Sequence, residues 1–320
     1  METKFSSRLC LSSGAQMPLC GFGSFQIKGE ECTAAVTCAL ESGYRLIDTA
    51  RIYRNEKEVG QALKRMEQEG VVREEVFITS KVAPTEQGEE EAYTAICTSL
   101  SELGLEYIDL VLIHWPGKSK TPVQSDKNRQ ARRASWRALI RAKREGLVRD
   151  IGVSNFLRRH LEDPCFYGGP EDQIPSQVLE AGGGGDVPAE EWRCSPAVNQ
   201  FECHPLLSQI ELREYCKRRG IQVQAYSSLG QCDPRLMDSP VLEQVCAEVG
   251  ASKHAVLLAW GLQQGIAVIP RSRSPANIRA NFEAMQGGLG EKPLLSMKHM
   301  DMLSAINEDT HICWDSNKVL

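Results

Sequence analysis

Short apolar runs alternate with longer amphipathic stretches along most of the chain. The runs read as buried strands, and the stretches, with apolar residues at helical spacing, as helices packed on them. Strands are predicted at Pro18–Gly23, Tyr44–Asp48, Val76–Lys81, Ile108–His114, Asp150–Ser154, Ala197–Glu202, Gln222–Tyr226 and Ala267–Pro270. Helices are predicted at Glu31–Glu41, Glu56–Glu69, Glu89–Leu103, Ser135–Glu145, Ile210–Arg219, Val241–Val249, Lys253–Gln264, Pro275–Ala284 and Ser296–Ile306. Parallel strands need a crossover, and helices between successive strands supply it. Eight such units in roughly 250 residues predict an α/β fold closed into a (β/α)8 TIM barrel. Ahead of it, Arg8–Leu11 and Met17–Leu19 flank Ser13-Gly14 and predict a hairpin that plugs the barrel bottom.

The 320 residues then form one barrel domain, 1–320, with one irregular connection. After Arg158–Glu162, a helix start, residues 163–195 carry Gly168-Gly169-Pro170, the run Gly182–Gly185 and Pro188. Such a segment cannot continue a helix. It is expected to be a flexible, exposed insertion.

Composition narrows the function. Hydrophobic residues are 42 %, charged residues 25 % and net charge −5, which is globular and argues against a nucleic-acid binder. One stretch, Lys118–Arg144, holds ten Lys/Arg against one Asp. It reads as a solvated loop and helix face, with an anion or partner site as the alternative. The twelve cysteines are scattered without C-x-x-C spacing, and METKFSSRLC has no apolar secretory core. Free thiols in a reducing, cytoplasmic setting are expected. No apolar run has the length of a membrane span. No metal pattern surrounds Cys203 and His204.

In a barrel of this kind the working residues lie at the C-terminal strand ends. Strand two ends in Asp48, with Tyr53 in the following loop; strand three ends in Lys81; strand four ends in His114. A lone charge past a strand is ordinarily a solvated loop residue, but four titratable groups at consecutive mouths form a set. A tyrosine hydroxyl is too weak an acid for neutral pH, and a nearby ammonium lowers its pKa. Lys81 is expected to tune Tyr53 this way, held by Asp48, while His114 orients a substrate carbonyl. Donating a proton to a carbonyl needs a hydride partner, which points to a nicotinamide cofactor. Ser154-Asn155, Asn199-Gln200 and Tyr226-Ser227 end the next strands and offer amides for a carboxamide and a ring for stacking. Beyond strand eight, Pro270-Arg271-Ser272-Arg273-Ser274-Pro275 sets two arginines before a helix N-terminus. That suits a 2′-phosphate and favours NADPH over NADH.

These stretches resemble the aldo-keto reductases over nearly the whole chain. The matching segments are GYRLIDTARIYRNEKEVG at Gly43–Gly60, VFITSKV at Val76–Val82, DLVLIHWP at Asp109–Pro116, IGVSNF at Ile151–Phe156, NQFECHPLL at Asn199–Leu207, AYSSLG at Ala225–Gly230 and IPRSRSPANIRAN at Ile269–Asn281. The resemblance implies a (β/α)8 barrel that reduces aldehydes and ketones with NAD(P)H. It implies Tyr53 as general acid, Lys81 and Asp48 as its tuners, and His114 as carbonyl orienter. Ser154, Asn155, Gln200 and Tyr226 become nicotinamide contacts, and Arg271, Ser272 and Asn281 contacts to the adenosine end. Ser24, Asp48, Ser227, Leu229, Arg273 and Asn277 join them as cofactor contacts. Phe25 stands where tryptophan is common, and with Trp115 and Trp314 predicts an apolar mouth. Asn277 stands where arginine is frequent, with Arg273 as a replacement for its grip on the phosphate, and Ala280 stands where an acid is frequent. The loop after strand seven and the tail past Trp314 are short, and the glycine-rich insertion is long.

Two competitors remain. Tyr53 and Lys57 match Y-x-x-x-K of short-chain dehydrogenases, but the required G-x-G-x-x-G turn fails at Gln26. A regulatory or scaffold barrel that binds cofactor without turnover would not need the complete Tyr/Lys/His/Asp set. The expected protein is a monomer acting on a small carbonyl compound, without nucleic acid, membrane or metal.

Overall fold

A computed structural model describes residues 7–168, 189–290 and 293–320. The chain opens with an antiparallel hairpin, β1 (Arg8–Cys10) on β2 (Gln16–Pro18), with Leu9 opposite Met17. Then come β3 (Phe22–Gly23), α1 (Gly29–Glu41), β4 (Leu46–Asp48), α2 (Glu56–Gln68), β5 (Phe77–Val82), α3 (Glu89–Leu103), β6 (Ile108–Ile113) and α4 (Lys127–Arg144). The second half runs β7 (Val148–Ser154), α5 (Arg158–Leu161), β8 (Val198–Glu202), α6 (Ile210–Arg218), β9 (Gln222–Tyr226), α7 (Pro234–Met237), α8 (Pro240–Val249), α9 (Lys253–Leu262), β10 (Ala267–Val268), α10 (Pro275–Gly288) and α11 (Met297–Ser304).

β3 to β10 pair in parallel, each with its neighbour in sequence. The sheet closes on itself: Cys20 bridges Val268, Gly21 N–H donates to Val268 O at 2.9 Å and Gly23 N–H to Pro270 O at 3.1 Å. Closure demands glycine, since a Cβ on Gly21 would collide with the Leu46 side chain and one on Gly23 would lie 2.9 Å from Ile269 O. Every residue of β5 and β6 is buried, as expected of strands walled by helices outside and packed side chains within. The hairpin covers the bottom: Met17 is fully buried, with its sulfur 4.0 Å from Gln224 Nε2 inside the barrel.

The eight predicted strands are present, most with trimmed ends, though β5 runs on to Val82 and β7 starts at Val148; two helix boundaries move further. α4 starts at Lys127 rather than Ser135, and α10 runs to Gly288 rather than Ala284. The added turns of α4 bury two polar side chains, Asn128 and Arg132, with only Ala131 as an apolar one. Asn128 Nδ2 donates to Pro122 O (2.9 Å) and Val123 O (3.1 Å), and the Arg132 guanidinium to Pro116 O (2.8 Å) and Leu320 O (2.7 Å). The basic stretch is therefore not simply a solvated face. Arg133 pairs with Asp163, Arg137 with Glu89, Arg141 with Glu145 and Lys143 with Asp150.

The expected insertion is anchored at its start. Asp163 Oδ1 caps Cys165 N–H at 3.1 Å, and Phe166 is buried against Trp136 and Phe156. The run Gly182–Gly185 lies outside the described residues.

Candidate active site

Four elements deliver the predicted tetrad to one end of the barrel. Asp48 ends β4, Lys81 lies near the end of β5, and His114 directly follows β6. Tyr53 closes a single 3-10 turn, Arg51–Tyr53, after which Arg54 turns left-handed (φ 56°). That turn is pinned by Arg51, which pairs with buried Glu56 at 2.8 Å and with Glu86 at 3.3 Å. Nearby, buried Asn55 donates to Ser24 O and Ile27 O, both at 2.9 Å, and accepts from Thr49 Oγ1. Sequence reading missed Asn55, which acts on carbonyls distant in sequence, and Glu56, which takes Arg51 and also accepts from Ser80 Oγ at 2.6 Å.

The four side chains meet. Lys81 Nζ lies 2.6 Å from Asp48 Oδ1, donates to Thr49 O at 2.9 Å and reaches Tyr53 Oη at 3.4 Å. The other Asp48 oxygen accepts from Gln200 Nε2 at 2.7 Å, and Gln200 continues to Gln224 Oε1 at 2.5 Å. His114 stands edge-on to the Tyr53 ring, with centroids 5.6 Å apart. Its Nδ1 is buried without a hydrogen-bond partner among the described residues.

Burial sets the protonation states. It holds the His114 imidazole well below its ordinary range, helped by the Lys81 charge, so the ring is neutral at neutral pH. It also lowers the Lys81 ammonium, against which the Asp48 carboxylate works. Tyr53 moves opposite to the sequence expectation. Burial first, then the Asp48 charge, pushes its phenol well above 10. Lys81 cannot act as an isolated cation there, because Asp48 offsets it at 2.6 Å. Tyr53 is thus protonated across the neutral range.

The later strand ends form a polar wall. Asn155, in the left-handed region (φ 64°), donates to His114 O at 2.9 Å and to Ser154 Oγ at 3.1 Å. Its Oδ1 accepts from Tyr226 Oη at 2.6 Å. Ser24 is buried, with Oγ donating to Asp48 O. Ser227 is left-handed (φ 50°), with its hydroxyl 3.2 Å from Cys313 Sγ, and Leu229 is partly buried beside it.

Past β10, Ser274 Oγ caps α10 by accepting from Asn277 N–H, and Ser272 Oγ accepts from Ser274 N–H at 3.1 Å. The two arginines diverge. Arg273 bonds Gln26 O at 2.6 Å and pairs with Glu31 at 3.5 Å, the two paired side chains each about half exposed. Arg271, exposed at the surface, has no such partner among the described residues. Asn277 is exposed and Asn281 buried.

The mouth is aromatic. Phe25 (39 % exposed) leans on Tyr53 at 5.0 Å, and Trp115 meets Trp314 (55 % exposed) edge to face at 6.0 Å. A separate cavity of about 580 Å³, lined in part by Leu63, Met66, Leu103 and Tyr107, lies at the opposite barrel end and touches none of these groups. Among the described residues no cluster of His, Cys, Asp and Glu is arranged to hold a metal ion, and no helix is long and apolar enough to cross a membrane.

Comparison with known proteins agrees with this geometry. The model of the Aldo/keto reductase family matches residues 20–294. The chain is 38 % identical to glyoxal reductase of Bacillus subtilis, covering 98 % of this chain and 97 % of that protein. It is 37 % identical to glycerol 2-dehydrogenase (NADP(+)) of Saccharomyces cerevisiae over 85 % of this chain and 84 % of that one. The crystal structure of an aldo-keto reductase from a Medee basin deep-sea metagenome library superposes with a TM-score of 0.78 at 32 % identity, covering 97 % of this chain and 98 % of that one. With the barrel, the four-residue cluster and these relatives in agreement, the chain belongs to the aldo/keto reductase family.

Proposed function

We propose that this oxidoreductase reduces aldehydes and ketones to alcohols with NADPH, and that Tyr53 gives the proton. The observation that carries the reading is the line of contacts from Asp48 through Lys81 to the Tyr53 hydroxyl, with neutral His114 alongside. When bound, a reduced nicotinamide supplies the hydride that the carbonyl carbon accepts. The Tyr53 O–H then donates its proton to the carbonyl oxygen. Lys81 steadies the phenolate left behind, and Asp48 keeps Lys81 charged and aimed. His114 orients the carbonyl oxygen from the side. Burial raises the Tyr53 pKa, so the donor stays loaded until the carbonyl oxygen demands the proton.

The residues fit the cofactor. Gln200 donates to Asp48 and Gln224 through Nε2, while its Oε1 accepts no bond among the described residues and suits a carboxamide N–H. Ser154, Asn155 and Tyr226 complete that wall, with Ser24, Ser227 and Leu229 around it. At the other end, the capped N-terminus of α10 and Arg271 suit a 2′-phosphate. Ser272 and Asn281 would meet the adenosine side, and Asn277 brings no charge. The NADP(+) in the name of the yeast relative supports the same choice. NADH is the weaker alternative, because Arg271 would find no 2′-phosphate on it.

All twelve cysteines are free thiols, which supports a reducing, cytosolic setting. One chain supplies the whole tetrad, so a monomer suffices. We read residues 1–320 as one barrel domain with an insertion near 163–195. Titration with NADPH followed by assay of glyoxal and an aromatic aldehyde tests the proposal. Binding with turnover is expected; binding without turnover would leave a scaffold barrel instead.

A further inference from the structure

One buried carboxylate at the C-terminal end of the barrel has no place in the proton path. Glu202 ends β8, opposite Tyr226 in the β9 register, and is 1 % exposed. Its Oε1 lies 3.0 Å from His204 Nε2 and accepts N–H bonds from Ile312 at 3.0 Å and Cys313 at 3.2 Å. Its Oε2 accepts from Cys313 N–H at 3.1 Å and lies 3.3 Å from His311 Nδ1. Apart from His204, these partners come from one segment, 311–313, which leads directly into Trp314.

Trp314 is more than half exposed, so packing beneath it cannot fix its orientation; the flanking backbone must. Downstream, Arg159 donates to Ser316 O at 3.1 Å and to Val319 O at 3.0 Å. Upstream, Leu206 O accepts from Glu308 and Thr310 N–H, and Ser227 and Gln231 meet Cys313 Sγ, but Glu202 is the group that holds the 312–313 backbone N–H groups. A buried carboxylate satisfied by two backbone N–H groups and two imidazoles is a stiff clamp, since leaving any of them unpaired is costly.

We propose that Glu202 is a positioning residue for the substrate pocket. By clamping Ile312 and Cys313 it sets Trp314 against Trp115, and so favours aromatic carbonyl substrates over small aliphatic ones. The inference rests on the reading of this site as a carbonyl reductase. Glutamine in its place has no charge, and its Nε2 can only donate, so Glu202→Gln loses the charge-assisted bonds and the second acceptor for Cys313 N–H.

The test measures kcat/KM for 4-nitrobenzaldehyde and for methylglyoxal in wild type, Glu202→Gln, Trp314→Ala and the double variant. Glu202→Gln is expected to lower the aromatic-to-small ratio about threefold to tenfold, the scale of one lost aromatic contact, mainly through KM. In the Trp314→Ala background it is expected to change nothing further, because both act through one ring. An unchanged ratio, or losses that add, overturns the proposal. So does a weaker Kd for NADPH in Glu202→Gln, which would mean that the residue acts through Tyr226. Amide exchange supplies a readout independent of turnover: Ile312 and Cys313 N–H are expected to exchange faster in Glu202→Gln. If neither aldehyde is turned over by the wild type, the reductase reading fails, and exchange alone decides the clamp; unchanged protection overturns it. Should Glu202→Gln fail to fold, His311→Asn removes one of the four Glu202 partners, together with the 3.9 Å pairing of His311 and Asp315. It is expected to shift the ratio and the exchange in the same direction by less, and no shift in either overturns the clamp.

Discussion

Asp48→Asn tests the buried pair beneath the proposed proton donor. Asp48 takes Lys81 on one oxygen at 2.6 Å and Gln200 on the other at 2.7 Å. Asparagine keeps the shape but turns one acceptor into an NH2 group, so Lys81 or Gln200 loses its partner. The Lys81 side chain is 0 % exposed and would lose its nearest countercharge, leaving only the weaker influence of Glu56. Removing one member of a buried pair costs about 3–5 kcal/mol. Lys81 retains Thr49 O and the Tyr53 hydroxyl, so the lower end, about 3 kcal/mol, is expected. The pH profile gives a second, signed readout. In the wild type, burial and then Asp48 push the Tyr53 phenol up, and the protonated form is the one that donates. Removing the carboxylate removes the second cause, so the phenol ionises at lower pH. Lys81 also loses the charge that opposes its burial and deprotonates earlier. Both changes move the alkaline limb of kcat/KM to lower pH. Urea unfolding and a pH series on an uncharged aldehyde measure the two effects. A variant as stable as wild type, with its alkaline limb unmoved or moved upward, refutes the reasoning.

Further outcomes follow from the same structure. Arg271→Ala is expected to weaken NADPH binding about tenfold, the value of one charge-assisted contact, and to leave NADH nearly unchanged. Equal wild-type affinity for both cofactors, read by fluorescence quenching, would reduce Arg271 to a surface residue. In Glu202, burial opposes ionisation, but the hydrogen bonds from His204 and His311 outweigh it and hold the carboxyl down from 4.5 to about 2. Its stabilisation is therefore fully present above pH 4.5 and is lost as pH falls toward 2; the shift corresponds to about 3 kcal/mol. The stability gap between wild type and Glu202→Gln should narrow from pH 6 to pH 3, and a constant gap contradicts the assignment. His311 has the opposite sign. Its hydrogen bond to Glu202 raises it, so that contribution is full below 6.5 and fades as pH rises above it. Loosening of the 311–313 segment in alkali, followed by amide exchange, checks this.

The barrel was legible because its strands are buried on both faces, and such runs stand out from the amphipathic helices between them. Strand ends then located Asp48, Lys81, His114, Ser154 and Tyr226 without any structure, whereas Gln200 lies in the middle of β8. The first turns of α4 were not legible, since KNRQARRA has no apolar stripe; Asn128 and Arg132 are buried there by bonds to distant carbonyls. The direction of the Tyr53 shift was misjudged because burial, its main cause, was not visible in sequence, and because Asp48 offsets the cation expected to dominate. The contacts of Arg273 with Glu31 and Gln26 O cross between segments far apart in the chain and had no local signal. Glu202 lies inside a matching motif, but its bonds to 311–313 span more than a hundred residues and leave no local signature.

The central claim is that the Tyr53 hydroxyl delivers the proton, and Tyr53→Phe tests it most directly. The substitution removes one oxygen, whose only contact among the hydrogen bonds described is Lys81 at 3.4 Å, and leaves the ring against Phe25 and His114. The fold and the NADPH Kd are expected to stay as in wild type. Turnover of a reactive aldehyde at saturating NADPH is expected to fall by roughly 10²–10⁴, the contribution of a positioned general acid. A folded, NADPH-binding Tyr53→Phe that keeps more than half the wild-type rate would contradict the account.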